Sequence, residues 1–351
     1  MKILMIGLGS IGQRHLRNIK RLYGDMHEIS AYRVRRLQQT FSDEMKIRDG
    51  VNLEEEFGIE VFTDLDEALK NKPDVVFVTN ITSKHIECAL KAARAGADIF
   101  LEKPMSNNMQ GISELIDIAK KNKLVTYVGF QNRFHPCIMY MKIILEENAI
   151  GDIINVTSEF SERLATMHTY EDYRGTYMAK KEMGGGPILN LQIHAFDYLQ
   201  WLFGEPESVY TIAKKNSMLD VDVEDSASSL FTFKSKNNKI IPVYMYTDFL
   251  QYPPVHRLKV VGSKGRAEID LLANESTLIV DGNVISRKKY DDFTRNDMFI
   301  DELKIFFSAI EKRVQPSLGF EEAITSMKMA MAAKKSASEA CVVRLEDIKC
   351  E

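Results

Sequence analysis

Near its start the sequence reads Lys2-Ile3-Leu4-Met5-Ile6-Gly7-Leu8-Gly9-Ser10-Ile11-Gly12. The apolar residues at 3–6 predict a short buried strand, and the glycines after it have the spacing G-x-G-x-x-G. In such a turn the first glycine permits the bend, the second lets a pyrophosphate approach the backbone, and the third allows helix and strand to pack closely. A dinucleotide-binding loop is therefore predicted, with a purely structural glycine turn as the alternative. The candidate cofactor contacts are Gly7, Gly9, Ser10, Ile11 and Gly12.

Strand and helix signals alternate through the first 130 residues. Apolar runs predict strands at 3–6, 27–32, 75–79, 99–101 and 124–128. Amphipathic periodicity predicts helices at 13–23, 83–95 and 108–121. This alternation is typical of a doubly wound parallel sheet with helices on both faces. We expect an α/β fold whose first domain, a Rossmann-type dinucleotide-binding domain, covers residues 1–128.

The pattern changes after residue 128. A helix is predicted at 136–147, and strands follow one another at 153–160, 208–213, 227–234, 240–247, 258–261, 267–270 and 277–280. Two helices are predicted at 297–311 and 320–338. Successive strands without helices between them favour a mostly antiparallel sheet. We expect a second, substrate-binding and oligomerisation domain over residues 129–351.

Composition excludes several classes of protein. The chain has 351 residues, of which 45% are hydrophobic and 27% charged, and its net charge is −4. That balance offers no basic surface for nucleic acid, and no apolar run approaches the roughly 18–20 residues of a membrane span. The four cysteines lack C-x-x-C spacing, which favours free thiols and a cytoplasmic protein.

The end of the second strand should select the cofactor. An acid is expected there in an NAD enzyme, but this sequence continues Tyr32-Arg33-Val34-Arg35-Arg36. Guanidinium groups suit a 2′-phosphate, so Arg33, Arg35 and Arg36 favour NADP(H), with NAD(H) possible. A solvated basic face is the alternative.

A second candidate motif is Glu102-Lys103-Pro104, which follows a predicted parallel strand. The carboxyl ends of such strands are where open α/β sheets place ligand chemistry. The Lys103 ammonium can donate a hydrogen bond to a substrate oxygen and stabilise developing negative charge on it. An exposed lysine on a turn is the alternative.

A third motif begins with Gly184-Gly185-Gly186. On a helix opening after these glycines, Asn190, His194 and Asp197 would share one face. A histidine flanked by polar groups suits a titrating role, although a satisfied core histidine is the alternative. No other histidine shows metal-ligand spacing, so no metal is expected.

Together these motifs, with Val128-Gly129-Phe130-Gln131-Asn132-Arg133-Phe134, resemble the Gfo/Idh/MocA oxidoreductases. The resemblance implies a Rossmann domain and a second domain with a large sheet that often makes the oligomer contact. It also implies that the C-terminal helix packs back on the first domain. The site residues that it implies are catalytic Lys103, His194 and Asn190; cofactor-binding Thr79, Asn80, His85, Glu102, Lys103 and Gln131; and substrate-binding Lys103, Arg133, Tyr173, Arg174, Asn190 and His194.

The expected reaction is hydride transfer between a nicotinamide and a secondary hydroxyl or keto group of a sugar or nucleotide sugar. His194 would act as general base, and Lys103 would polarise the same oxygen. The expected partners are a carbohydrate, anionic in one reading, and further copies of the chain in a homodimer or homotetramer. The family commonly has aspartate where this chain has Asn190, so Asn190→Asp should be tolerated. The alternative function is a non-catalytic dinucleotide-binding sensor or partner protein.

Overall fold

A computed structural model describes residues 1–34, 39–42, 46–48, 50–235 and 238–350. The chain forms two compact units. The first is built mainly from Met1–Phe130 and Phe299–Ile324, and the second from Gln131–Met298 and Thr325–Lys349. This differs from the expected domains 1–128 and 129–351, because Phe299–Ile324 belongs to the first unit although it lies far along the sequence.

The first unit contains short strands and helices in alternation. Its strands are β1 (Lys2–Ile6), β2 (Glu28–Tyr32), β3 (Thr40–Phe41), β4 (Ile47–Arg48), β5 (Glu60–Phe62), β6 (Val75–Val78), β7 (Asp98–Leu101) and β8 (Thr126–Val128). Its helices are α1 (Ser10–Tyr23), α2 (Leu53–Phe57), α3 (Leu65–Lys70), α4 (His85–Arg94) and α5 (Ile112–Lys121).

Within the described residues, the main sheet of this unit has the order β5-β2-β1-β6-β7-β8, and all its pairs are parallel. Strands β6, β7 and β8 are buried along their whole length, as expected for a parallel sheet covered on both faces. The strand order reverses between β1 and β6, and ligands bind at such a switch point in open α/β sheets. The predicted doubly wound sheet is confirmed.

The second unit begins with α6 (Pro136–Glu146) and is dominated by a large sheet. Its other shorter elements are α7 (Leu164–Met167) and α8 (Ile193–Phe203). Its strands are β9 (Ile153–Ser161), β10 (Pro206–Lys214), β11 (Ser226–Lys234), β12 (Ile240–Asp248), β13 (Val255–Gly262), β14 (Gly265–Asp270), β15 (Glu275–Val280), β16 (Asn283–Lys289) and β17 (Val343–Arg344). The last two helices of the chain are α9 (Arg295–Lys312) and α10 (Phe320–Glu339).

Across the described part of the second unit the sheet order is β16-β15-β14-β13-β9-β12-β11-β10-β17. Its pairs are antiparallel except β9 with β12, so the predicted, mostly antiparallel sheet is confirmed. Strand residues alternate between a buried and an exposed face. We call the exposed side the open face and define it by Tyr210, Ile212, Leu230, Tyr244 and Tyr246, which are all exposed.

A helix that spans a bilayer must be both long and apolar. Among the residues described, none of the helices meets both requirements for spanning a membrane.

Candidate functional site

The glycine loop has the geometry that its spacing predicts. Gly7 adopts φ +90°, a conformation that a side chain would strain, and its N–H bonds the carbonyl of Tyr32 at 3.1 Å. A Cβ on Gly12 would lie 2.7 Å from the Thr79 hydroxyl and closer still to the Gly7 carbonyl. A Cβ on Gly9 would instead meet open space. The loop therefore leaves room for a ligand at its second glycine.

The amino terminus of α1 is open to an anion. The helix starts at Ser10 with Gly9 as its N-cap, no side chain caps it, and its first turn contains no acid. Its free N–H groups and the helix dipole favour phosphate at this position. Ser10 and Ile11, which the sequence assigns to the cofactor, are the first residues of this helix. The site thus fits the pyrophosphate of a dinucleotide.

Side chains at the end of β6 hold the neighbouring loops. The Thr79 hydroxyl donates to the Gly7 carbonyl at 2.7 Å, and Asn80 Nδ2 lies 3.2 Å from Cys88 Sγ. The ring nitrogens of His85 lie 2.8 Å from the Pro104 carbonyl and 3.1 Å from the Asn80 carbonyl. Burial lowers the pKa of His85, so the ring favours its neutral form. The polar groups of Thr79 and His85 thus form hydrogen bonds within the protein. The sequence assigned both residues to the cofactor, and that assignment stays a prediction.

The ribose end of the predicted cofactor site contains an ion pair. Arg33 is buried, and its Nη1 lies 3.0 Å from Glu54 Oε1 at the start of α2. Glu54 is an acid at this strand end that the sequence reading overlooked. Arg35 and Arg36 lie outside the described residues.

The turn after β7 presents Lys103. The Lys103–Pro104 peptide is cis, and Lys103 itself is partly exposed. Glu102 is buried, with Oε1 2.7 Å from His15 Nε2 and Oε2 accepting the Lys103 N–H at 3.2 Å. The Glu102 carboxylate thus contacts His15 and the Lys103 backbone, and its assignment as a cofactor contact stays a prediction.

The third glycine motif leads into a π-helical turn. Gly186 has φ +98°, and a Cβ on it would lie 2.6 Å from the Glu224 carboxyl carbon. Residues Ile188–Gln192 are π-helical and α8 follows directly, whereas the sequence predicted a single α-helix. Glu224 accepts the Ile188 N–H, and burial raises the pKa of its carboxyl. Such π-turns occur often at functional sites.

Asn190 secures this turn. Its amide Nδ2 donates to the carbonyls of Gly186 at 2.8 Å and Gly184 at 3.2 Å. This donor is thereby directed at the glycine backbone, whereas Oδ1 has no hydrogen-bond partner among the described residues. Asn190 thus stabilises the backbone that leads into α8, and its contact with the substrate stays a prediction.

His194 is the second residue of α8 and is 6% exposed. Its ring centroid lies 6.2 Å from that of Phe160, which stacks on His256 at 3.8 Å. Burial lowers the pKa of His256 to about 3, so this second histidine is neutral at physiological pH. His194 thus has an apolar, uncharged neighbourhood on this side.

Two arginines assigned to the substrate already have carboxylate partners. Arg133 is buried and binds Asp197 through Nε at 2.8 Å and Nη2 at 2.7 Å. This pair joins Arg133 to Asp197 inside the second unit, and the contact of Arg133 with the substrate stays a prediction. Arg174 is exposed but binds Asp172, whose pKa it holds at about 2.

The remaining assigned residues are also engaged or buried. Tyr173 accepts the Asp220 N–H at 3.2 Å through its hydroxyl, and Gln131 is buried at the start of a 3₁₀ turn. The sequence reading missed His15, Glu302 and Glu224. One signal was available for Glu302, because it interrupts the apolar stripe of α9 between Phe299 and Phe306.

The open glycine turn at the switch point of a doubly wound sheet is typical of dinucleotide-binding proteins. Residues 1–130 match the family described as "Oxidoreductase family, NAD-binding Rossmann fold", and residues 138–268 match the GFO/IDH/MocA C-terminal domain. The chain belongs to the GFO/IDH/MocA oxidoreductase family.

Several relatives of known name are dehydrogenases. Myo-inositol 2-dehydrogenase of Thermotoga maritima is 27% identical over 99% of both chains. The structure of levoglucosan dehydrogenase in complex with NADH superposes with TM-score 0.81, at 17% identity over 98% of this chain and 99% of that one. The WlbA dehydrogenase of Bordetella pertussis in complex with NADH and UDP-GlcNAcA gives 0.78, at 19% identity over 98% of each chain.

Proposed function

We propose that this NAD(P)-dependent oxidoreductase transfers a hydride between nicotinamide and a secondary hydroxyl or keto group of a sugar or nucleotide sugar. The open amino terminus of α1 beside Gly9 carries the proposal, because it is built for a dinucleotide pyrophosphate. Lys103, which follows β7 in the same sheet, supports it. The substrates named for the relatives, an inositol, levoglucosan and UDP-GlcNAcA, support a polyhydroxylated substrate.

The chemistry that we assign to this chain is proton transfer and charge stabilisation. When bound, the nicotinamide supplies or accepts the hydride. His194 takes the proton of the substrate hydroxyl in the oxidative direction, and Lys103 donates a hydrogen bond to the same oxygen as negative charge develops. Asn190 contributes through the glycine backbone that it holds.

We also propose a preference for NADP(H) and for an anionic carbohydrate. Arg33 lies at the end of β2, where an NAD enzyme would place an acid. Arg163 is exposed in the second unit and stacks on Tyr252 at 5.1 Å, which leaves a cation and an aromatic ring for an anionic sugar.

A second copy of the chain is the partner that we propose for the open face. Tyr210, Leu230 and Tyr244 lie opposite one another across β10, β11 and β12, and Ile212 and Tyr246 belong to a neighbouring row. Such an uncharged aromatic and aliphatic surface is typical of homodimer interfaces. A homodimer or homotetramer built on it is the expected assembly.

Two measurements test the enzymatic function. Mass spectrometry of ligands that stay bound through native purification would identify the cofactor and a sugar. Stopped-flow absorbance would then follow NADPH or NADH mixed with a panel of keto sugars. We expect oxidation of the cofactor with at least one of them. Tight cofactor binding without oxidation by any sugar would favour the sensor function instead.

A further inference from the structure

Three titratable side chains meet inside the first unit. They come from separate elements: His15 from α1, Glu102 from the end of β7, and Glu302 from α9. One nitrogen or oxygen from each lies within 4.8 Å of the other two, and all three residues are buried. Neither the motifs nor the proposed reaction assigns a role to His15 or Glu302.

Glu302 is the unusual member. It is 0% exposed, and no donor among the described residues reaches either of its carboxyl oxygens, so the carboxyl can take part in a hydrogen bond only as a donor. Burial, and next the charge of Glu102, raise the pKa of Glu302 well above its ordinary value. Two carboxylates this close in an apolar interior cannot both ionise, because neither keeps its hydration. One proton must therefore remain on the pair.

Glu102 is the member that contacts two other parts of the unit. Its Oε1 lies 2.7 Å from His15 Nε2, and its Oε2 accepts the Lys103 N–H at 3.2 Å. Gly129 leaves the space that Glu102 fills, because a Cβ there would lie 3.2 Å from Oε1. The Glu102 carboxylate thus joins α1 to the turn that presents Lys103.

We propose that Glu302 is a positioning residue that stays a neutral carboxylic acid and donates its proton towards Glu102. Its hydrogen bond fixes the Glu102 carboxylate on His15 and on the Lys103 amide, and so fixes the Lys103 turn. The effect of Glu302 on turnover rests on the proposed catalytic role of Lys103. A shared metal ion suits the cluster less well. Two ligands about 2.1 Å from one ion lie roughly 3.4 Å apart, whereas His15 and Glu102 are at hydrogen-bond distance.

The groups facing Glu302 determine its response to pH. They are His15 on α1 and Glu102 after β7, while Arg14 on α1 stacks over Phe299 of the same helix as Glu302 at 4.8 Å. Since the folded-state pKa of Glu302 is raised, its contribution to stability is fully present below the unfolded pKa. That contribution is lost as pH rises towards the folded pKa.

The test compares wild type with two variants. Glu302→Gln keeps a neutral hydrogen-bond donor, and Glu302→Leu keeps a side chain of similar volume but has no donor. Glu311→Gln, an exposed change on the same helix, is the control. Difference infrared spectra of variant minus wild type at neutral pH should show the loss of one protonated-carboxyl band in either Glu302 variant, and no such loss in the control. Thermal unfolding should lose stability between about pH 5 and about pH 8 in wild type, and clearly less in Glu302→Gln.

The position of the Lys103 turn is tested by hydrogen exchange of the Lys103 amide, a measurement that needs no substrate. Its hydrogen exchange should speed up by about tenfold or more in Glu302→Leu, because the Glu102 acceptor is released, and should stay slow in Glu302→Gln. In turnover, kcat should fall about tenfold in Glu302→Leu with the cofactor KM little changed, and Glu302→Gln should recover most of it. A protein inactive on every sugar would refute the proposed reaction, while the spectra and exchange still decide this proposal. Stoichiometric bound metal, no protonated carboxyl in wild type, or an unchanged Lys103 amide in Glu302→Leu would overturn it.

Discussion

Lys103 and His194 are the residues whose removal should stop turnover without releasing the cofactor. We expect Lys103→Ala and His194→Ala each to lower kcat by at least about 10²-fold, because general acid–base groups contribute about 10²–10⁴. Fluorescence titration should give nearly unchanged cofactor affinity. Lys121→Ala, an exposed lysine of α5, is the control and should behave as wild type. Near-normal rates in either active-site variant would refute the assignment.

Asn190 leads to a prediction that reverses the one made from sequence. Its amide donates to two glycine carbonyls, so a carboxylate in Asn190→Asp would face acceptors only. We expect this variant to lose about 1–3 kcal/mol of unfolding free energy at neutral pH. These carbonyls raise the pKa of the new carboxyl, and the protonated form can donate once. The deficit should therefore shrink as pH falls.

Urea unfolding at about pH 5 and about pH 8 measures this difference. Asn190→Ala, which removes the donor without adding charge, is the matched variant and should lack the pH dependence. An Asn190→Asp protein as stable as wild type at the higher pH would show that the amide does not hold the turn.

Sequence reasoning at the scale of residues worked where a role depends on the local backbone. The φ of Gly7 and the crowding at Gly12 follow from the turn itself, so spacing along the chain was enough. It did not find the ion-pair partners of the arginines, because these partners come from other elements. Glu54 pairs with Arg33 and Asp197 with Arg133, across 21 and 64 positions of sequence.

The junction after β2 is the element that should set cofactor preference. We expect tighter binding of NADPH than of NADH, with Arg33→Ala weakening NADPH by roughly 10- to 100-fold and NADH far less. This follows because a charge-assisted hydrogen bond contributes about 1.5–3 kcal/mol. Glu54→Gln removes the ion-pair partner but keeps the arginine, and it should retain the preference. Equal affinities of wild type for both cofactors would mean that the arginines are a solvated face.

Most of the longer strands could be predicted, because apolar runs or alternating apolar residues mark them. Five strands were missed: β3, β4, β5 and β17 have only two or three residues each, and β16 is an exposed edge strand ending in basic residues. The π-turn at Ile188–Gln192 could not be foreseen, because it depends on Glu224 and Asn190 holding the glycine backbone. Sequence periodicity indicates which residues lie on the same face of a helix. It does not indicate which residues from other elements distort that helix.

In the assembled molecule, we expect the open face to form the contact between two copies of the chain. Leu230→Lys combined with Tyr244→Lys places two charges at the centre of this surface and should yield a monomer, because burying unpaired charge is strongly unfavourable. Sedimentation velocity measures the change. Val284→Lys on the edge strand β16 is the control and should leave the assembly intact. A wild-type monomer at micromolar concentration would contradict the proposed interface.

Phe299–Ile324 belongs to the first unit but is synthesised late. The first unit therefore cannot finish folding until most of the chain has left the ribosome. The rings of Phe77 and Phe100 are covered by Phe306, which is synthesised long after residue 130. At about 5–20 residues per second, the ribosome needs roughly 8–35 seconds to synthesise the chain between residue 130 and Phe306. During that time the rings of Phe77 and Phe100 stay exposed in the amino-terminal segment. Truncation before α9 would make that exposure permanent, so the glycine-loop half is not a separable module.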